Sequence, residues 1–156
     1  GARPLSLRAL PAPLLRFSGR RRPHDLQAAI ETAFPNRAVW TLSLDLAVDA
    51  VRGDLTSPAT QRTWLARIRQ GQVILVAAGP PCETWSSVRR HNLDRGCARA
   101  PRPLRTCEQL WGDPRISERE WQQVALGNDL YMVALLFSTV CHATGTSSVL
   151  EHPANP

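Results

Sequence analysis

Residues 73–87, VILVAAGPPCETWSS, carry the clearest chemistry in the chain: an apolar, β-branched run ends at Gly79, and Pro80 and Pro81 then present Cys82 directly beyond it. A cysteine thiolate is a strong nucleophile, and two prolines that fix their own φ and restrict their predecessors would hold it in a stiff turn. Three carboxylates stand in comparable positions: Asp45 near the end of the run 39–46, Asp54 after Gly53, and Glu151 after the run 146–150. If these runs are parallel strands, Ser18, Gly19, Asp45, Asp54, Cys82 and Glu151 all gather on one rim of the sheet, where ligands of open α/β sheets bind. A thiol for attack and an acid for proton transfer on one rim are the parts of covalent, acid-assisted catalysis. Taken singly, each has a structural role open to it, Cys82 as a small buried thiol and the acids as helix caps or solvated groups.

The periodicity predicts the elements that would position these residues. Residues 14–17 form a short apolar run, and 24–34 show helical spacing through Leu26, Ala29, Ile30 and Ala33. A second strand is expected over 39–46, with a third edge at Gly53, Asp54 and Leu55. Thr56 or Ser57 can cap a helix running from about Pro58 to Gln70, turning Trp64, Leu65 and Ile68 inward, with Gly71 as its stop. The run 73–77 is the fourth strand. Ser117, with Glu120 three residues on, has the spacing of a capping box before a long helical pattern through Val140, which Gly127 is placed to bend. A fifth strand, 146–150, ends at Glu151. Alternating strands and helices predict an α/β fold with a mostly parallel sheet, in a single domain over 1–156 interrupted by an irregular Arg/Pro-rich insertion at 89–113.

With 43% hydrophobic and 21% charged residues the composition is that of a globular domain, and 156 residues suffice for one core. The apolar stretch 130–141 falls short of the ~20 residues a membrane span needs and reads as a core helix. All 19 basic residues are arginine, against 13 acids, for a net charge of +6. Clusters at 20–22, 89–90 and 95–105 suit a polyanionic partner, although a coding bias toward arginine would give the same composition. Four irregularly spaced cysteines and the absence of a secretory pattern point to free thiols in an intracellular, nuclear or cytoplasmic, compartment. The spacing of His91, Cys97 and Cys107 matches no common zinc pattern, and no metal is expected. A start at Gly1 and a close at EHPANP suggest a piece of a longer protein.

GPPCETWSS resembles the Pro-Pro-Cys motif of the cytosine-5 DNA methyltransferases, and the resemblance extends in order along the chain. LLRFSG, 14–19, is similar to the family's first motif; RGDLTS, 52–57, resembles its Gly-Asp-Ile segment; Leu150, Glu151 and His152 stand at its Glu-Asn-Val motif. The resemblance implies a Rossmann-like, S-adenosylmethionine-dependent methyltransferase fold, incomplete at the C-terminus. Phe17, Ser18, Gly19, Asp45, Asp54, Leu55 and Pro80 would then bound the cofactor, Asp45 at the ribose hydroxyls and Asp54 at the adenine amino group. Cys82 would attack carbon-6 of cytosine and Glu151 would protonate ring nitrogen 3 and read the amino edge, on a base flipped from DNA. Ser86, Arg89 and Arg90 would touch the nucleic acid, RNA not being excluded as the partner.

The chain departs from the family at three places. Arg20, Arg21, Arg22 and Pro23 replace the glycines that follow Phe-Ser-Gly, His152 and Pro153 replace Asn and Val, and no later arginine-rich motif or target-recognition region precedes Pro156. Two other functions stay open. One is a catalytically inactive, methyltransferase-like nucleic-acid-binding module that stacks bases on Trp85 or Trp111. The other is a thiol enzyme of another class, with Cys82 paired to His91 or His152.

Overall fold

The computed structural model describes residues 12–17, 23, 25–33, 39–46, 48–86, 89, 96 and 101–152, with backbone only for 12–17, 39 and 40. Among the described residues four strands form one sheet: β1 (Ala12–Phe17), β2 (Val39–Ser43), β3 (Leu75–Ala78) and β4 (Ser147–Leu150). Their order is β2-β1-β3-β4, and all three pairings are parallel. The fold is therefore α/β. From β1 the chain steps outward to β2, returns to the other side of β1 as β3 and continues to β4. The direction of winding thus reverses between β1 and β3.

Among the described residues three helices are defined between the strands: α1 (Leu26–Ala33), α2 (Pro58–Arg69) and α3 (Glu118–Thr144). Asp25 caps α1, its Oδ1 accepting the Ala28 amide at 2.9 Å. Proline at the first position of α2 has no amide to leave unsatisfied. In α3 the predicted capping box is complete: the Ser117 side chain accepts from the Glu120 amide while the Glu120 carboxylate accepts from the Ser117 amide. Gly145 ends α3 in the left-handed region at φ 73°, returning amides to carbonyls of the last turn.

The apolar stripes of α2 and α3 meet the sheet and each other. Trp64, Leu65 and Ile68 from α2, Val76 and Ala78 from β3, and Val133, Ala134, Phe137, Val140 and Cys141 from α3 form one core. Burial pushes the Cys141 thiol up. By length and composition α3 is also apolar enough to cross a membrane, a test that the shorter stretch 130–141 did not meet in the sequence reading. In this fold one side of it is core: Val124, Phe137 and Cys141 are fully buried.

Two expectations are corrected. Gly53, Asp54 and Leu55 form turns, not a third edge strand. The backbone groups of this segment are taken by side chains: Asp49 Oδ1 accepts from the amides of Val51 and Arg52, Gln61 donates to the Leu55 carbonyl, and Trp64 Nε1 donates to the Arg52 carbonyl. Short acids that bond their own backbone compete with a sheet ladder, and here they win. The helix is also continuous through Gly127, whose role is a close approach described below.

Candidate functional site

Cys82 and Glu151 follow neighbouring strands. Ala78 of β3 is registered with Leu150 of β4, and the Glu151 amide donates to the Ala78 carbonyl at 2.8 Å, carrying the ladder one step past the strands. Pro80 and Pro81 then lead to a tight turn in which the Trp85 amide donates to the Cys82 carbonyl at 2.9 Å. Cys82 and Glu151 are both exposed, so each is accessible to a substrate on this rim.

An aromatic contact joins the two segments. Trp85 is buried and its ring lies 4.9 Å from that of His152, the residue after Glu151. Tyr131 of α3 completes the group at 5.7 Å from Trp85 and 4.7 Å from His152. Trp111 meets Trp85 edge to face at 6.0 Å and is 53% exposed, which leaves part of it open to solvent. Edge-to-face and tilted pairs at these separations are favourable beyond the area they bury. Trp85 is therefore a structural link between the cysteine turn and the glutamate, and Trp111 is the indole of the pair that a ligand can reach.

Behind the cysteine turn lies Arg105, only 1% exposed. Its guanidinium donates to Thr84 Oγ1 from Nε at 3.1 Å and Nη2 at 2.9 Å, to the Leu110 carbonyl and Asn128 Oδ1 from Nη1 at 2.7 Å each, and to the Val124 carbonyl from Nη2 at 3.2 Å. One face of the group covers the Trp85 ring, 3.7 Å from its centroid, a cation–π contact. Burial pushes this guanidinium down to about 10, still protonated at neutral pH. Arg89 braces the same turn from the other side, donating from Nε to the Glu83 carbonyl at 2.9 Å and from Nη1 to the Arg102 carbonyl at 3.2 Å. Arg102 in turn forms a two-pronged ion pair with Glu120, at 3.0 and 2.6 Å, and holds that carboxyl well below its usual range. Part of the expected insertion, 101–113, is thus packed structure; Arg105 spends all its donors within the protein, and Arg89 and Arg102 spend part of theirs there.

The remaining candidates separate by place. Asp45 follows β2, half-buried, and Gly53 packs so closely on its backbone that a Cβ there would collide with the Asp45 carbonyl. Asp54 accepts from the amide and hydroxyl of Thr56 at 3.0 and 2.6 Å, closing its own turn. Leu55 is a core residue, 8% exposed, so only its backbone is available to a ligand. Pro80 and Ser86 are half-buried on the cysteine turn. Ser18, Gly19, Arg90, His91 and Cys97 lie outside the described residues, as do Arg20, Arg21 and Arg22, and of Phe17 only the backbone is described. Among the described residues no cluster of three or more His, Cys, Asp or Glu gathers to hold a metal ion.

No protein-family model, curated protein or solved structure matches this chain. Function has to be read from the residues and their geometry. Sequence reasoning missed Thr84, Arg105 and Gly127 as parts of the site. The signal for Arg105 was weak, one arginine among many in 95–105, and nothing local distinguishes the one that is buried.

Proposed function

We propose that the chain is a DNA (cytosine-5) methyltransferase-like domain that uses Cys82 as nucleophile and Glu151 as acid. The observation that carries the reading is the Cys82–Glu151 arrangement: two groups of the required chemistry, exposed behind adjacent parallel strands, their segments joined through Trp85 and His152. A strand order that reverses beside β1 supports a Rossmann-like crevice there, and Asp45, two residues past β2, would take the cofactor ribose in it. Asp45 after β2 and Pro80 after β3 would flank S-adenosylmethionine on the two sides of β1; the Leu55 side chain would not, because it is core. Bound there, that cofactor would supply an electrophilic methyl group.

The chain's own residues would do the rest. The Cys82 thiolate forms an Sγ–C6 bond to a flipped cytosine while the Glu151 carboxyl delivers its proton to ring nitrogen 3, which makes carbon-5 nucleophilic. After methyl transfer to carbon-5, solvent water takes the carbon-5 proton, that C–H electron pair forms the C5–C6 double bond as the Sγ–C6 bond breaks to return the thiolate, and nitrogen 3 returns its proton to Glu151. Turn stiffness matters because attack requires the sulfur near 3–3.5 Å from the reacting carbon. With DNA as substrate the protein would act in an intracellular compartment, nuclear or cytoplasmic.

The test is covalent capture of a duplex oligonucleotide containing 5-fluorocytosine in the presence of S-adenosylmethionine, with cofactor binding followed by calorimetry. The wild-type chain is expected to form the adduct, Cys82→Ser to form none, and Glu151→Gln to capture roughly 10²–10⁴-fold more slowly. A folded protein that neither binds the cofactor nor forms the adduct overturns the proposal. Salt-dependent DNA binding indifferent to Cys82→Ser would instead support the second reading, a catalytically inactive nucleic-acid-binding module, which the exposure of Trp111 favours.

A further inference from the structure

The most unusual group among the described residues is the buried guanidinium of Arg105. A buried cation normally sits beside a carboxylate, because desolvation alone is costly. Among the described residues Arg105 has no such ion pair; its acceptors are a hydroxyl, an amide oxygen and two backbone carbonyls. Those acceptors belong to three separate segments: Thr84 to the cysteine turn, Leu110 to the 101–113 segment, and Val124 and Asn128 to α3. Both Thr84 contacts and the Trp85 face contact fall within three residues of Cys82. Asn128, holding Nη1, also donates from Nδ2 to the Trp111 carbonyl at 3.0 Å, so the same hub holds the backbone that carries the exposed tryptophan. α3 makes this approach at a glycine, residue 127, with Thr84 Oγ1, Arg105 Nη2 and the Pro81 carbonyl packed 3.3–3.8 Å from where a side chain would begin.

From this geometry we infer that Arg105 is a positioning residue, holding the turn of Cys82 and the backbone at Leu110 and Trp111 in fixed relation to α3 and, through the Trp85–His152 contact, to Glu151. The inference rests on the reading of Cys82 as nucleophile, and it assigns a catalytic consequence to a residue that touches neither substrate nor cofactor. Arginine is required for shape as well as charge: one planar group fills five donor positions and covers a ring, which a lysine ammonium with three donors does not reproduce. The core of Ile68, Val76 and Phe137 is made without Arg105, so loosening the turn does not require losing the fold.

The test compares wild type with Arg105→Lys, and with Thr84→Val and Thr84→Ser, in the full chain. Amide exchange of Trp85, whose N–H closes the cysteine turn, reports the turn without reference to any reaction. Adduct formation with the fluorocytosine duplex and calorimetric cofactor binding report the consequence. Arg105→Lys and Thr84→Val are expected to keep cooperative unfolding, to speed Trp85 exchange at least about tenfold, and to slow capture about 10²-fold, as a displacement near 1 Å would. Cofactor affinity should change less than about threefold, and Thr84→Ser, which keeps the hydroxyl, should restore both exchange and capture. Wild-type exchange and capture in Arg105→Lys would overturn the inference, as would losses in Thr84→Val that Thr84→Ser does not rescue. If Arg105→Lys does not fold, the Thr84 pair decides alone. If the wild type forms no adduct, the methyltransferase reading fails, while unchanged exchange in the variants would separately refute Arg105 as the clamp.

Discussion

Gly127→Ala is a sharp test of whether the cysteine turn is seated on α3. In an exposed helix interior the substitution would stabilise by about 1 kcal/mol, because alanine loses less backbone entropy than glycine. Here the new Cβ would stand 3.3 Å from Thr84 Oγ1, 3.4 Å from Arg105 Nη2 and 3.8 Å from the Pro81 carbonyl. Two of these contacts are tighter than ordinary carbon contacts, so the turn or the guanidinium must yield by a few tenths of an ångström. Overpacking of a filled site costs about 1–3 kcal/mol, leaving a net destabilisation of about 0–2 kcal/mol. For a domain of this length that corresponds to a fall of up to about 8 °C in Tm, measured by thermal unfolding against Thr84→Ala and the double variant. Removing the threonine side chain opens the space the methyl needs, so the double-mutant cycle should show a favourable coupling of at least about 0.5 kcal/mol. A Gly127→Ala variant stabilised by the full helix-propensity gain, with no coupling to Thr84, would refute the packing of the turn on the helix.

The remaining expectations concern the core and acid stability. Phe137 is fully buried between α3 and the sheet, and Phe137→Ala should cost about 3–5 kcal/mol in urea unfolding; a loss below about 1 kcal/mol would contradict the core. Asp113, held down to about 2 by Arg115, and Glu120, held down by Arg102 and Ser117, both titrate below the ordinary carboxylate values of 3.8 and 4.5. The unfolded chain therefore binds protons first as pH falls. Their contribution is complete above about pH 4.5 and should be lost progressively as pH falls toward 2 and below. Acid unfolding of Arg102→Gln beside wild type checks this: the variant should show a shallower loss over that interval, and identical slopes would count against the Arg102–Glu120 pair.

Much of the fold was legible locally. The capping box at Ser117 and Glu120, proline at the start of α2 and Gly71 just past its end, at φ 68°, are signals written within a few residues, and each is used as read. The β-branched run before Gly79 and the apolar spacing of Trp64, Leu65 and Ile68 likewise gave β3 and the inward side of α2. Gly53–Leu55 was misread because Gly-Asp-Leu is short, and whether its backbone pairs with a strand or with Asp49 and the α2 side chains depends on groups beyond the segment.

The chain's own order of residues determined which groups could do chemistry and that Cys82 and Glu151 each follow a strand. Only the tertiary structure decided that those strands are neighbours, since the order β2-β1-β3-β4 is a property of the assembled sheet. It also decided the fate of the arginines. In sequence Arg102 and Arg105 are indistinguishable members of a basic run, yet one pairs with Glu120 at the surface and the other is sealed behind Thr84 and Trp85. The physical reason is that burial and hydrogen-bond satisfaction depend on acceptors brought together from three distant segments. Composition carries the charge of each arginine; the packing of the cysteine turn against Gly127 determines which one is enclosed.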